Sequence, residues 1–153
     1  LSIVIAAIEN HRDSEIDGLC RKYLQRLNGP WKTELLLLPA ARVKEPEKQQ
    51  ETESQTLLKN TKPGDILLLC DERGQSFTST EFSNLMQKEL AALRGRIIIG
   101  IGGAYGFTPQ FLSQHRSIRL SNLTFPHHLA RLVLAEQLYR AMCIAKNTGY
   151  HHA

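Results

Sequence analysis

The sequence predicts an α/β domain built on a mainly parallel sheet, with helices covering both of its faces. Short apolar runs rich in branched residues recur along the chain, at residues 1–8, 66–70 and 96–101. Such runs suit strands buried on both sides. Between them lie longer stretches whose apolar residues repeat at helical spacing, and the two kinds of segment alternate, the pattern of βαβ units.

The first strand spans residues 1–8. Residues 13–27 follow as a helix, with Ile16, Leu19, Tyr23, Leu24 and Leu27 on one face. Asn28-Gly29-Pro30 stops it, and residues 32–38 form a second strand ended by Pro39. Residues 40–55 are polar and charged, a loop leading into a solvated helix that ends near Asn60. Lys62-Pro63-Gly64-Asp65 is a turn before the third strand, 66–70, and Asp71-Glu72-Arg73-Gly74 is the loop after it. Ser79 or Thr80 caps a helix through Leu93, with Phe82, Leu85, Met86, Leu90 and Leu93 inward. The fourth strand, 96–101, runs into a glycine cluster. A short helix at 109–114 and a last strand at 117–120 follow, and Pro126 opens a long helix to about Lys146.

A chain of 153 residues, 42% of them hydrophobic, suits a single domain, 1–153. Its longest apolar runs fall far short of the roughly 20 residues of a membrane helix. With no basic segment and small-residue cleavage site near the start, a cytoplasmic address is expected. Cys20, Cys70 and Cys143 are odd in number and form no CxxC pair, which favours reduced thiols over disulfides or zinc. His127-His128 and His151-His152 lack an accompanying carboxylate or thiolate, so no metal is expected.

Charge is unevenly distributed. From Arg94 onward seven basic residues face one acid, Glu136, a balance of +6 that leaves −2 of the total +4 for the first 93 residues. A polyanion fits such a half, as does an ordinary solvated basic face.

Three loops follow strand ends, at 71–74, 100–106 and 120–125, and ligands of open α/β sheets bind at that edge. Gly100-Ile101-Gly102-Gly103-Ala104-Tyr105-Gly106 is no dinucleotide fingerprint, because Tyr105 stands where the third glycine belongs. No GK[ST] follows either. Four glycines in seven allow a sharp bend and a close approach to a flat ligand. In the last loop Ser121, Asn122 and Thr124 supply polar groups, Leu123 and Phe125 supply apolar ones, and Thr124 is a candidate cap. The final helix is apolar over a wide arc: Leu129, Leu132, Val133, Leu134, Leu138, Tyr139, Met142 and Ile144. One core needs a narrower stripe, so a twofold homodimer is expected. Glu136 and Arg140, four apart, can pair.

In order along the chain, Gly102-Gly103-Ala104-Tyr105-Gly106, Leu120-Ser121-Asn122-Leu123-Thr124-Phe125-Pro126-His127, residues 131–141 and Tyr150-His151 resemble the RlmH family of SPOUT-class methyltransferases. The similarity spans the whole chain and includes 71–74. It implies a C-terminal trefoil knot, an otherwise rare topology, and an obligate homodimer. It implies S-adenosyl-L-methionine as methyl donor, contacted by Cys70, Gly102, Leu120, Ser121, Asn122, Leu123, Thr124 and Phe125. The activity implied is methylation of N-3 of a pseudouridine in large-subunit ribosomal RNA, on the assembled ribosome. His151 then helps activate the acceptor nitrogen as its base, while Arg140 and Tyr150 position the RNA. Tails in the family follow Tyr-His with arginine or lysine, whereas this one has His152-Ala153, which weakens or reassigns a phosphate contact. A ribosome-associated RNA-binding module without catalysis and a knotted methyltransferase of transfer RNA are the alternatives.

Overall fold

The computed structural model describes residues 2–92 and 94–152. Leu1 and Leu93, expected in the first strand and the third helix, lie outside the described residues. The elements are β1 (Ile3–Ile8), α1 (Ser14–Gln25), β2 (Thr33–Leu38), α2 (Pro46–Lys59), β3 (Ile66–Ser76), α3 (Ser79–Ala92), β4 (Ile97–Ile101), α4 (Pro109–Gln114), β5 (Arg116–Arg119) and α5 (His127–Lys146). A short turn of 3-10 helix, Gly29–Trp31, separates α1 from β2.

The five strands run in the order β2-β1-β4-β3-β5, every neighbouring pair parallel. In β1 every residue is buried, and alternate side chains serve opposite faces as the pleat requires. Ile3, Ile5 and Ala7 join a core completed by α1, α3 and α5, through Cys20, Leu24, Met86, Leu134 and Leu138. Val4, Ala6 and Ile8 join the opposite core with Leu57 of α2 and Phe111 of α4. At roughly 1.5–3 kcal/mol for each fully buried Ile or Leu, these two layers dominate the stability of the sheet.

Local chemistry sets the boundaries. Asp13 caps α1 by accepting from the N–H groups of Glu15 and Ile16. Thr78, rather than Ser79 or Thr80, caps α3. Its Oγ1 accepts from Glu81 N–H while the Glu81 carboxylate accepts from Thr78 N–H, a reciprocal box that the spacing Thr-x-x-Glu encodes. Pro126, rather than Thr124, is the residue before α5, and its carbonyl accepts from Leu129 and Ala130. At the far end Asn147 adopts φ 53° and lets Thr148 N–H reach the Cys143 carbonyl.

Two expectations change. The segment 71–74 is a bulge inside β3 instead of a loop after it. Cys70 and Gln75 both register with Ile118, so the intervening residues swell out while the strand resumes pairing with β5. Gly74 is required there, because a Cβ would lie 2.7 Å from the backbone of Ile118. The helix α2 is also less solvated than its composition suggests, since it buries Glu53, Ser54 and Leu57.

The basic bias of the C-terminal half is largely internal. Arg96 pairs with Asp65, Arg116 with Glu89 and Arg140 with Glu136. Arg131 is fully buried, held by Asp17 with Glu9 at 3.8 Å. Acids of the first half therefore neutralise much of the positive charge of the second.

Candidate active site

Because all strands are parallel, the carboxyl ends of β3, β4 and β5 meet at one edge of the sheet. The β3 bulge and the segments that follow β4 and β5 wall a cleft of about 480 Å³. Cys70, Gly102, Leu120, Ser121, Leu123, Thr124 and Phe125, which the resemblance assigns to the methyl donor, all contribute to its wall. Asn122 is exposed and does not. Tyr105, Arg119 and His127 also line it. Neither Arg119 nor His127 is singled out as a site residue from sequence, although Arg119 directly precedes the 120–125 segment and His127 closes the motif that begins at Leu120.

The glycine loop is shaped by its neighbours. A Cβ on Gly102 would come within 2.9 Å of Gly106 Cα, and one on Gly103 within 2.5 Å of Glu53 Oε1. Gly106 itself has φ 68°. Arg73 ties the β3 bulge to this loop, bonding the Asp71 carboxylate in two places and donating to the Phe107 carbonyl at 3.2 Å. Leu123 N–H is held by Ser121 Oγ at 2.9 Å, which folds the third segment back on itself. Burial, reinforced by the charge of Asp71, pushes the Cys70 thiol up to about 12. It remains a neutral thiol at neutral pH and is no nucleophile.

His127 sits where α5 enters the cleft. Its Nε2 lies 2.5 Å from Glu9 Oε2, at the end of β1. Burial alone would raise the Glu9 carboxyl. The His11 backbone N–H, His127 and Arg131 together outweigh it and hold the group below its ordinary value. Glu9 is therefore a carboxylate, which can only accept, and His127 Nε2 must carry the proton between them.

A second cluster forms farther along α5. Arg140 donates to Glu136 Oε1 through Nε at 3.0 Å and Nη2 at 2.6 Å. Tyr150 Oη donates to the same oxygen at 3.1 Å, and Arg140 Nη1 donates to His151 Nδ1 at 3.2 Å. The Arg140 guanidinium lies 4.9 Å from the centroid of the Tyr150 ring. Burial and the Glu136 charge raise the Tyr150 hydroxyl, so it stays a donor. The structure thus brings together the three tail and helix residues singled out from sequence: Glu136 anchors Arg140 and Tyr150, and Arg140 in turn holds His151.

Within this chain the two clusters are separate. Neither Arg140, Tyr150 nor His151 lines the cleft, and the thirteen helical steps from His127 to Arg140 amount to about 20 Å. Leu129, Leu132, Val133 and Tyr139 are only half-buried along that stretch.

The cleft suits an elongated, partly apolar small molecule. Its volume falls in the usual range for such ligands, roughly 300–1,000 Å³, and its glycine floor leaves no room for side chains. Among the described residues, no group of three or more His, Cys, Asp or Glu side chains converges to hold a metal, and no helix is long and apolar enough to cross a membrane.

Comparison with known proteins agrees with this geometry. The family described as "Predicted SPOUT methyltransferase" matches residues 1–151. The chain is 43% identical over 107 residues to the ribosomal RNA large subunit methyltransferase H of Phocaeicola vulgatus, covering 69% of this chain and 68% of that one. It is 36% identical over 156 residues to the protein of the same name from Porphyromonas gingivalis, covering 99% of both. Among solved structures, a probable rRNA-methyltransferase from Porphyromonas gingivalis superposes with a TM-score of 0.54 at 13% identity, covering 90% of this chain and 67% of the other. A probable methylase family protein from Haemophilus influenzae gives 0.55 at 16%, covering 99% and 70%. At these identities the two structures speak for the fold alone.

Proposed function

Because this chain belongs to the SPOUT methyltransferase family, we propose that it methylates N-3 of a pseudouridine in large-subunit ribosomal RNA, with S-adenosyl-L-methionine as donor. The observation that carries this reading is the cleft of about 480 Å³ at the carboxyl edge of β3, β4 and β5, walled by the segments through which the chain resembles its relatives. The relatives' name supports the substrate class. When bound, the donor supplies a methyl group already activated by its sulfonium.

The protein's share is alignment and exclusion of water. The glycine loop and the 120–125 segment hold the donor against Cys70 and Leu120, with Gly102 permitting close approach. The cluster on Glu136 holds the acceptor base and its phosphates through Arg140 and Tyr150. His151 belongs to the same cluster. Its Nδ1 is taken by Arg140, so the free Nε2 carries the proton. It activates the acceptor by donating to a base carbonyl, where negative charge develops as the ring nitrogen loses its proton.

The half-buried apolar strip of α5 and the distance between the two clusters support a twofold homodimer. In it, the tail of one protomer completes the cleft of the other. The threading of the C-terminal segment as a trefoil knot, a single-domain organisation over 1–153, action on the assembled ribosome and a cytoplasmic location belong to the same proposal. The test is a comparison of large-subunit ribosomal RNA nucleosides from cells with and without the gene. A methylated pseudouridine present only with the gene supports the reading, and identical digests overturn it.

A further inference from the structure

We propose that His127, oriented by Glu9, is the group that takes the proton from the acceptor nitrogen. This rests on the methyltransferase reading above and assigns a residue to its proton transfer. The two histidines near the chemistry present opposite faces. His151 receives a guanidinium N–H on Nδ1, which leaves an N–H on its free side. His127 gives its Nε2–H to a carboxylate, which leaves a lone pair on Nδ1. Among the described residues, no protein group bonds that nitrogen. An imidazole held by a carboxylate on one nitrogen, with the other free, has the arrangement that fixes a general base in its working tautomer.

Position favours the same assignment. His127 lines the donor cleft of its own chain, between Phe125 and Pro126 on one side and Ala130 on the other. Glu9 is itself fixed. Its Oε1 accepts from His11 N–H at 2.9 Å, and the fully buried Arg131 lies 3.8 Å from Oε2 while its Nε donates to Asp17 Oδ1 at 3.0 Å. The chain thus places a buried guanidinium and a second carboxylate behind the one that orients His127. The proton leaves the acceptor N–H for Nδ1 of His127, and the freed nitrogen pair forms the N–C bond to the donor methyl. The C–S pair stays on sulfur, and the imidazolium returns its proton to water. Glu9 is a positioning residue in this scheme, acting through His127.

The test uses the full-length protein and two readouts. In the first, ¹⁵N spectra of the imidazoles, recorded without donor or RNA, report which nitrogen carries the proton. The wild type should hold His127 as the Nε2–H tautomer, and Glu9→Gln should relax it to a mixture. In the second, single-turnover methyl transfer to ribosomes should fall about 10²–10⁴-fold in His127→Ala, with donor affinity by calorimetry within threefold of wild type. Added imidazole should restore part of the rate in His127→Ala and none in His151→Ala. Glu9→Gln should lower kcat while leaving KM for the donor unchanged. A wild-type rate in His127→Ala, or rescue of His151→Ala instead, overturns the assignment. A wild type that transfers no methyl to any RNA overturns the underlying reading as well, and is distinguished by that control.

Discussion

A Cβ at Gly103 would lie 2.5 Å from Oε1 of Glu53, a carboxylate with no exposed surface. Glu53 Oε2 accepts from Ala41 N–H at 2.9 Å, so the side chain has little freedom to withdraw. The floor of the cleft is therefore set by a residue of α2 that does not itself line it. We expect Gly103→Ala to shift the glycine floor and so weaken donor binding, on top of the about 1–3 kcal/mol that overpacking costs the fold. Titration calorimetry reads this. Adding Glu53→Ala should recover part of the loss, since the clash is then removed.

Arg131→Met should destabilise the protein by about 3–5 kcal/mol, because Asp17 and Glu9 lose the buried cation between them. Urea unfolding checks this as a lower midpoint at unchanged slope. Replacing Asp17 by Asn in the same protein should lessen the loss.

Acid should weaken the Asp65–Arg96 pair. Burial alone would raise the Asp65 carboxyl, but the Arg96 guanidinium and the N–H groups of Lys62 and Arg96 outweigh it and hold it low. A carboxyl lowered in the folded state stabilises fully above its unfolded value, about 3.9. That contribution disappears as pH falls through the lower folded value. Asp65→Asn should cost roughly 1.5–3 kcal/mol at neutral pH, the range for hydrogen bonds to a charged group. The gap to wild type should shrink below about pH 4, measured as unfolding midpoints across pH.

The Cys70 thiol, pushed up to about 12, should resist alkylation by iodoacetamide at pH 8.5. Mass spectrometry of the intact protein reads the modification. Rapid labelling at Cys70 would show an ionised thiol and reopen a covalent route.

Mixed dimers should separate the two clusters. Gly102→Val blocks the cleft and Arg140→Ala disables the tail cluster, so each homodimer should be inactive. If the clusters meet across subunits, mixing and re-equilibrating the two should restore measurable transfer, because one kind of site in each heterodimer is intact. Absence of any recovery would place both clusters in one protomer.

Much of this architecture is legible in sequence. The buried strands announce themselves by apolar runs, and α4 falls at Pro109–Gln114 as its spacing predicts. The three cleft segments follow from the rule that strand ends carry ligands. What stays hidden depends on partners distant in the chain. Glu53 and Arg131 look like solvated charges until Gly103, Asp17 and Glu9 are placed around them. The bulge at 71–74 shows only once Gly74 meets the backbone of Ile118. His127 looks like half of a histidine pair, and its chemical identity comes from a carboxylate 118 residues earlier. Charge counting misleads for the same reason, since Arg96, Arg116 and Arg131 find acids in the first half of the fold.

The most direct measurement is transfer of a radiolabelled methyl group from S-adenosyl-L-methionine to ribosomes from cells lacking this gene. Free ribosomal RNA and transfer RNA are run beside them. Methylation of a large-subunit pseudouridine predicts label in the large-subunit RNA of the ribosomes, mapping to that nucleotide. No label in any of the three, with the protein folded, would contradict it and favour an RNA-binding module without catalysis.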